Sequence, residues 1–325
     1  MNTDEQLQSF RQTWQNLRAE IGKVMVGHDD IVDGTLIAIF AGGHVLLEGV
    51  PGLGKTLLVR TLSEVLELSF NRVQFTPDLM PADILGTNMV METPDGRREF
   101  QFQRGPIFAH LILADEINRA TPKTQSAMLE AMQEKSVTAG GEIRKLAEPF
   151  FVLATQNPID QEGTYPLPEA QLDRFLFKVL VDYAPQEVEI EVLLRYHHGF
   201  DARRLDALDL QRTVTPATLA ECQQEIRAVQ VDDGILKYIT DIAQASRKSL
   251  DLLLGGSPRA SIGLLLAAKA WAAMQGRAFV VPDDVKFLVR PVYRHRIILK
   301  PEAEIEGLNA DTAMTRILAR VEVPR

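Results

Sequence analysis

The chain has 325 residues, with 35 Lys plus Arg against 44 Asp plus Glu and a formal net charge of −9. Apolar residues at 46% and charged residues at 24% fit ordinary globular protein of about two domains, and one cysteine excludes a disulfide framework or a cysteine-rich zinc module. The acidic balance argues against general nucleic-acid binding.

In chain order, the first twelve residues are polar and acidic and lack the basic-then-apolar order of a leader, so a cytoplasmic protein is expected. The longest apolar run, Gly34 to Leu47, is shorter than the roughly 18–20 residues a bilayer crossing needs. His44–Glu48 reads as a strand. It leads into Gly49-Val50-Pro51-Gly52-Leu53-Gly54-Lys55-Thr56, with Leu57 opening a helical pattern to Leu68. This satisfies G-x-x-x-x-G-K-[ST] between a strand and a helix. Glycines there turn successive backbone N–H groups inward around phosphates, and the helix N-terminus adds favourable partial charge. Gly49 to Leu57 are therefore expected to hold a nucleotide. Lys55 would reach its β- and γ-phosphates, and Thr56 would place a hydroxyl on Mg²⁺.

Arg72–Phe75 is a second strand, and Met89–Phe102 reads as a hairpin about Pro94-Asp95-Gly96. A third strand, Leu111–Ala114, runs into Asp115-Glu116. A carboxylate at a strand end can hold the metal shell, which assigns Asp115. Glu116 then has no metal duty and is free to act as a general base on water, which suits a hydrolase better than a small-molecule kinase. Thr121 and Pro122 open a helix over Lys123–Gln133. Val137–Leu146, with Gly140-Gly141, reads as a second hairpin.

Phe150–Thr155 is the fourth strand, and Asn157 just beyond it could orient the attacking water or contact the γ-phosphate. A short helix, Pro168–Arg174, precedes the fifth strand, Leu176–Val181. The Arg174 guanidinium suits a transferring phosphoryl group, although pairing with Asp173 or another neighbour is an equal alternative. The five strands are short, apolar on both faces and separated by helical stretches, as in a parallel sheet covered on both sides.

The composition changes near Asp182–Glu187, and the remainder reads as helix. Leu219, Cys222, Ile226 and Val229 form one apolar stripe, and Ile235, Ile239 and Ile242 another; Ile262–Met274 is apolar almost all round. This divides the chain into an α/β domain, residues 1–184, and an α-helical domain, residues 185–325. Ser257, Pro258 and Arg259 read as N-cap, first and second helical positions, where a cation opposes the helix dipole unless an anion accompanies it. Adjacent His197 and His198 point about 100° apart on a helix and make poor partners for one metal. Cys222 is a core residue on this reading. The basic run Arg290–Arg296 precedes Ile297-Ile298-Leu299, which favours a helix end or subunit contact over nucleic acid.

Together these residues resemble an AAA+ ATPase of the MoxR family, over roughly residues 20–300. The phosphate loop looks like Walker A, Asp115-Glu116 like Walker B, Asn157 like sensor 1, Arg174 like the arginine finger and Arg259 like the sensor 2 arginine of the helical lid. The runs Gln74–Gly86, Asp115–Gln125 and Gln156–Phe175 are also characteristic of that family. The resemblance implies a P-loop α/β domain with two hairpin insertions and an all-α lid, with ATP and Mg²⁺ as ligands. It also implies a homo-oligomeric ring of about six subunits in which a neighbour supplies Arg174; Arg259 is left open between the same subunit and a neighbour. Arg119 is a possible further interface contact. Relatives act as chaperone-like remodellers of a client protein complex, often with a von Willebrand factor A-domain protein that binds a metal ion. Two other readings stay open: a nucleic-acid motor related to replicative helicases, and a nucleotide-gated binding module with negligible hydrolysis.

Overall fold

The computed structural model describes residues 3–49, 54–92, 97–158 and 163–324, with side chains from Gln8 onward except that of Asp206. The chain opens with α1 (Thr3–Gly22), on which Phe10, Trp14, Leu17 and Ile21 recur at helical spacing and pack inward. α2 (Asp29–Ala41) follows and ends at Gly42 in the left-handed conformation. β1 (Val45–Gly49) leads to α3 (Lys55–Val65), then β2 (Phe70–Gln74) and a short α4 (Pro81–Leu85). The hairpin β3 (Gly86–Glu92) and β4 (Arg98–Arg104) precedes β5 (Leu111–Asp115) and α5 (Pro122–Glu134). A second hairpin, β6 (Ser136–Ala139) and β7 (Glu142–Lys145), turns through Gly140 and Gly141, both at positive φ, and precedes β8 (Phe151–Gln156). α6 (Glu169–Leu172) and β9 (Phe177–Val181) end this half.

The remainder comprises α7 (Gln186–His197), α8 (Pro216–Arg227), α9 (Asp233–Lys248), β10 (Leu252–Leu254), α10 (Pro258–Met274), α11 (Pro282–Tyr293), β11 (Ile298–Leu299), α12 (Pro301–Ile305) and α13 (Ala310–Leu318). Among the described residues, no helix is long and apolar enough to cross a membrane.

The main sheet has the order β2-β5-β8-β1-β9, and every pairing in it is parallel. Successive side chains of a strand point to opposite faces, so each central strand feeds two cores. Val45 and Leu47, Leu111 and Leu113, and Phe151 and Leu153 join α1, α2, α3 and the carboxy-terminal helices in one cluster. Leu46, Ile112 and Ala114, and Val152 and Ala154 join α4 and α5 in the other. A sheet buried this way leaves its carboxyl edge as the place where strands run out into loops, and ligands of open α/β sheets sit there.

The structure shifts several expected boundaries. α3 begins at Lys55 and ends at Val65, because the chain turns at Glu67, a non-glycine residue with φ of 48°. α6 covers only Glu169–Leu172 of the expected 168–174. The expected turn Pro94-Asp95-Gly96 lies outside the described residues. The helical lid contains one ladder, Leu252 opposite Leu299. Ser249 caps α9 and Gly255-Gly256 discourages a new helix, so the intervening leucines satisfy their backbone by pairing.

The basic run at 290–296 is largely consumed inside the chain. Arg294 pairs with Asp311 at 2.8 Å. Arg296 is buried and donates to Asp173 Oδ1 at 2.7 Å and to the carbonyls of Leu176, Val292 and Phe175. Cys222 is buried on the apolar face of α8, and burial pushes its thiol up to about 12. His197 and His198 are exposed at the end of α7.

His44 sits fully inside, just before β1. Its Nδ1 accepts from the Val152 N–H at 3.0 Å, so the proton is on Nε2, which donates to the Met132 carbonyl at 3.2 Å. Burial pushes its pKa down to about 4. The unfolded imidazole titrates near 6.5, so between roughly 4 and 6.5 the unfolded chain binds the extra proton. Stability is therefore expected to be full above pH 6.5 and to fall by about 3 kcal/mol as the pH drops toward 4. Buried His295, shifted in the same direction, adds to the fall. Urea unfolding between pH 8 and pH 4 should show this slope, and His44→Asn should flatten it.

Candidate functional site

A cavity of about 510 Å³ opens at the carboxyl edge of the sheet, lined by Gly49, Gly54, Lys55, Thr56, Asp115, Glu116 and Asn157 among others. Each lining residue arrives for a local reason. Gly49 ends β1 against β9, where an added Cβ would lie 2.3 Å from the Val181 carbonyl oxygen, so no side chain is tolerated. Gly54 precedes α3 at φ of 74°, in the region glycine alone enters freely. Val50, Pro51, Gly52 and Leu53 lie outside the described residues. Lys55 and Thr56 form the first turn of α3, with Leu57 behind them at the cavity wall.

Lys55 Nζ donates to the Gly49 carbonyl at 2.5 Å, which turns its side chain back toward the end of β1. Burial pushes the ammonium pKa down, while the carboxylates of Asp115, Glu116 and Glu48 oppose that shift. Glu48 in turn pairs with Lys178 at 2.8 Å and accepts from Gln156.

Asp115 ends β5 and Thr155 lies near the end of β8, beside it because Ala114 is paired with Ala154. Thr155 Oγ1 donates to Asp115 Oδ1 at 2.6 Å and accepts the Glu116 backbone N–H at 2.9 Å. Glu116 leaves the strand at φ 55°, ψ 50°. A left-handed glutamate costs about 1–2 kcal/mol, and this turn carries its side chain into the cavity. There Glu116 Oε2 accepts from Gln74 Nε2 at 2.9 Å and pairs with Arg119 Nε at 2.9 Å. Arg72 Nη2 donates to Asp115 Oδ2 at 2.6 Å and to Gln74 Oε1 at 2.8 Å. Asn157 is buried just past β8, and its carbonyl lies 3.5 Å from Asn118 Nδ2.

The side chains facing this cavity include four cations, Lys55, Arg60, Arg72 and Arg203, against two carboxylates, Asp115 and Glu116. That balance favours a polyanion. A second cavity of about 410 Å³ adjoins the first and shares Gly54, Leu57 and Tyr196 with it. Its walls are mainly apolar, including Val24, Met25, Val188, Val192 and Phe200. A polar, cationic chamber beside an apolar one is the shape a nucleotide requires, phosphates in one and base in the other.

Arg174 and Arg259 do not reach either chamber. Both line a shallow cavity elsewhere, beside Asp173, Gly263 and Arg296. Arg174 Nη1 donates to the Leu129 carbonyl at 2.6 Å, and its Nε is buried without a partner among the described residues. Arg259 stands at the second position of α10, after the expected cap, with Ser257 Oγ accepting from Ala260 N. Asp173 accepts from both Ser257 Oγ at 3.0 Å and Arg296 Nε, so one carboxylate ties the Arg174 segment to the start of α10.

Residues 44–177 match the model of the ATPase family associated with various cellular activities (AAA), and residues 244–317 match an AAA lid domain. A Mycobacterium tuberculosis protein named Chaperone MoxR1 is 40% identical over 315 residues, 94% of this chain and 81% of the relative. The chain belongs to the MoxR family of AAA+ ATPases. A Bacillus subtilis relative named Uncharacterized protein YeaC is 45% identical, over 94% of this chain and 92% of its own. The solved structure of an inferred ATPase from Cytophaga hutchinsonii superposes with a TM-score of 0.90 at 42% identity, covering 99% of this chain and 98% of that one. Family membership makes this chain an AAA+ ATPase with a nucleotide-binding α/β part and a helical lid.

Sequence reasoning had no reason to single out Thr155, Arg72, Glu48 or Lys178 for this site. The one signal for Thr155 was a hydroxyl closing an otherwise apolar strand. Thr155→Val removes the shared hydroxyl and leaves the Glu116 N–H unpaired. It should lower stability by about 1–3 kcal/mol, read as a shift of the urea midpoint at unchanged slope.

Proposed function

We propose that this chain hydrolyses ATP with Mg²⁺ as a ring-forming, chaperone-like remodeller. The observation that carries the reading is the convergence of Lys55, Thr56, Asp115, Glu116 and Asn157 on one cationic cavity. In this reading residues 1–184 form the nucleotide-binding unit and residues 185–325 the lid.

Thr56 and Asp115 offer hard oxygen donors in the same cavity, and that donor set fits Mg²⁺. Among the described residues no group of three or more His, Cys, Asp or Glu could hold a metal, so the remaining ligands would be phosphate oxygens and water. When bound, the ion neutralises charge on the β- and γ-phosphates.

This chain's own residues do the rest. Lys55 leaves the Gly49 carbonyl for the β- and γ-phosphate oxygens, which also receive the N–H groups that open α3. The base lies in the apolar chamber near Tyr196. Asn157 orients a water in line with the γ-phosphorus, and Glu116 accepts its proton as the oxygen attacks. ADP leaves as the β–γ bridge breaks, giving phosphate and one released proton.

Arg174 and Arg259 act on a nucleotide held by a neighbouring subunit. Their joint location on a separate cavity supports an interfacial role, and the fixed spacing through Asp173 supports their acting together. A ring of six is the arrangement we propose. The hairpins support a protein client, because Met89, Val90, Met91, Phe100 and Ile143 are exposed on them. A cytoplasmic setting and a von Willebrand factor A-domain partner complete the proposal.

Lys55→Ala should abolish nucleotide binding while circular dichroism stays unchanged; retained affinity would contradict the loop's role. Glu116→Gln should bind ATP normally and cease turnover, whereas undiminished turnover would remove Glu116 as the base. Arg174→Ala should bind nucleotide nearly as well but lose on the order of 10³ in rate. Mixing it with Glu116→Gln subunits should restore part of the rate if the guanidinium crosses the interface, and no recovery would leave Arg174 a structural residue.

A further inference from the structure

Arg72 lies on β2, the edge strand of the sheet, and its side chain is 48% exposed. Parallel pairing places Gln74 beside Asp115, and residues two apart on a strand share a face, so Arg72 and Gln74 both face the cavity. The Asp115 carboxylate is divided between two donors. Thr155 takes Oδ1 at 2.6 Å, while Arg72 brings Nη2 to 2.6 Å and Nε to 3.2 Å of Oδ2. Asp115 is the carboxylate assigned to the metal shell, and its one oxygen not held by the fold is covered by a guanidinium.

Two features separate this contact from a permanent structural pair. A buried structural pair of this chain, Asp173 with Arg296, has an arginine side chain only 3% exposed that also donates to four backbone carbonyls. Arg72 is half in solvent and donates to no backbone carbonyl among the described residues; its other partner is Gln74. Exposed pairs of this kind are weak and easily exchanged. A weak cation on Asp115, added to the nearby Lys55 ammonium, offsets the carboxylate's charge without locking it.

We propose that Arg72 is a stand-in cation: it neutralises Asp115 when no divalent ion is bound, and it must leave Oδ2 before an ion is held there. Arg72 and the ion therefore compete for one carboxylate oxygen. The inference rests on the assignment of Asp115 to the metal shell.

Competition predicts that removing Arg72 tightens metal binding, the reverse of what loss of a supporting residue would do. The full chain, saturated with ADP, is titrated with Mn²⁺, and the free ion is counted by electron paramagnetic resonance. Arg72→Gln should bind Mn²⁺ about two- to fivefold more tightly than wild type, the range expected on removing an exposed competing pair. Arg72→Lys, which keeps the charge, should fall between the two, and Arg72→Met serves if the glutamine variant does not fold. Asp115→Asn should weaken Mn²⁺ binding, and adding Arg72→Gln to it should give no gain, because the contested oxygen is gone. Unchanged or weaker Mn²⁺ binding in Arg72→Gln, with Asp115→Asn weakened, overturns the role of Arg72 alone. Unchanged Mn²⁺ binding in Asp115→Asn overturns the metal-site assignment beneath it, and the stand-in role with it.

Discussion

One hydroxyl organises the candidate site. Thr155 binds the Asp115 carboxylate with its proton and the Glu116 N–H with its lone pair, so a single atom fixes the side chain of one acid and the backbone of the next. That contact exists because β5 and β8 run parallel in a register that pairs Ala114 with Ala154. The register is held in turn by side chains pointing into both cores, Leu113 and Leu153 to one and Ile112 and Val152 to the other. A slip of one residue would invert every one of these and take the hydroxyl away from the acids. The candidate site therefore depends on the packing of sheet residues that do not themselves line its cavity.

Local signals were the legible ones. The glycine-rich loop, the Asp115-Glu116 pair at a strand end and the Ser257-Pro258-Arg259 cap are each written in a few consecutive residues. The first two meet at one cavity, and the cap sits as expected at the start of α10. The strands were legible because a sheet buried on both faces needs unbroken apolar runs. What stayed hidden came from distance along the chain. Arg72 meets Asp115 across 43 positions, and Arg296 meets Asp173 across 123. No spacing rule announces such pairs, since tertiary packing rather than sequence proximity makes them neighbours. Helix α1 was hidden differently: its polar surface masked the stripe Phe10, Trp14, Leu17 and Ile21, although that stripe has plain helical spacing.

Charge is arranged at two levels. Inside the polar chamber cations exceed carboxylates, while the whole chain is acidic. A local cationic hollow on an acidic body favours a small polyanion.

The carboxy-terminal helices do more than cover a cleft. Leu264 and Ala267 of α10 belong to the same apolar cluster as Leu36 and Phe40 of α2 and Leu47 of β1. Two parts built on a common interior melt as one unit rather than in sequence. A fragment cut after the last sheet strand would leave its outer helices with a bare greasy flank, and such a fragment tends to clump rather than stand as a miniature of the whole.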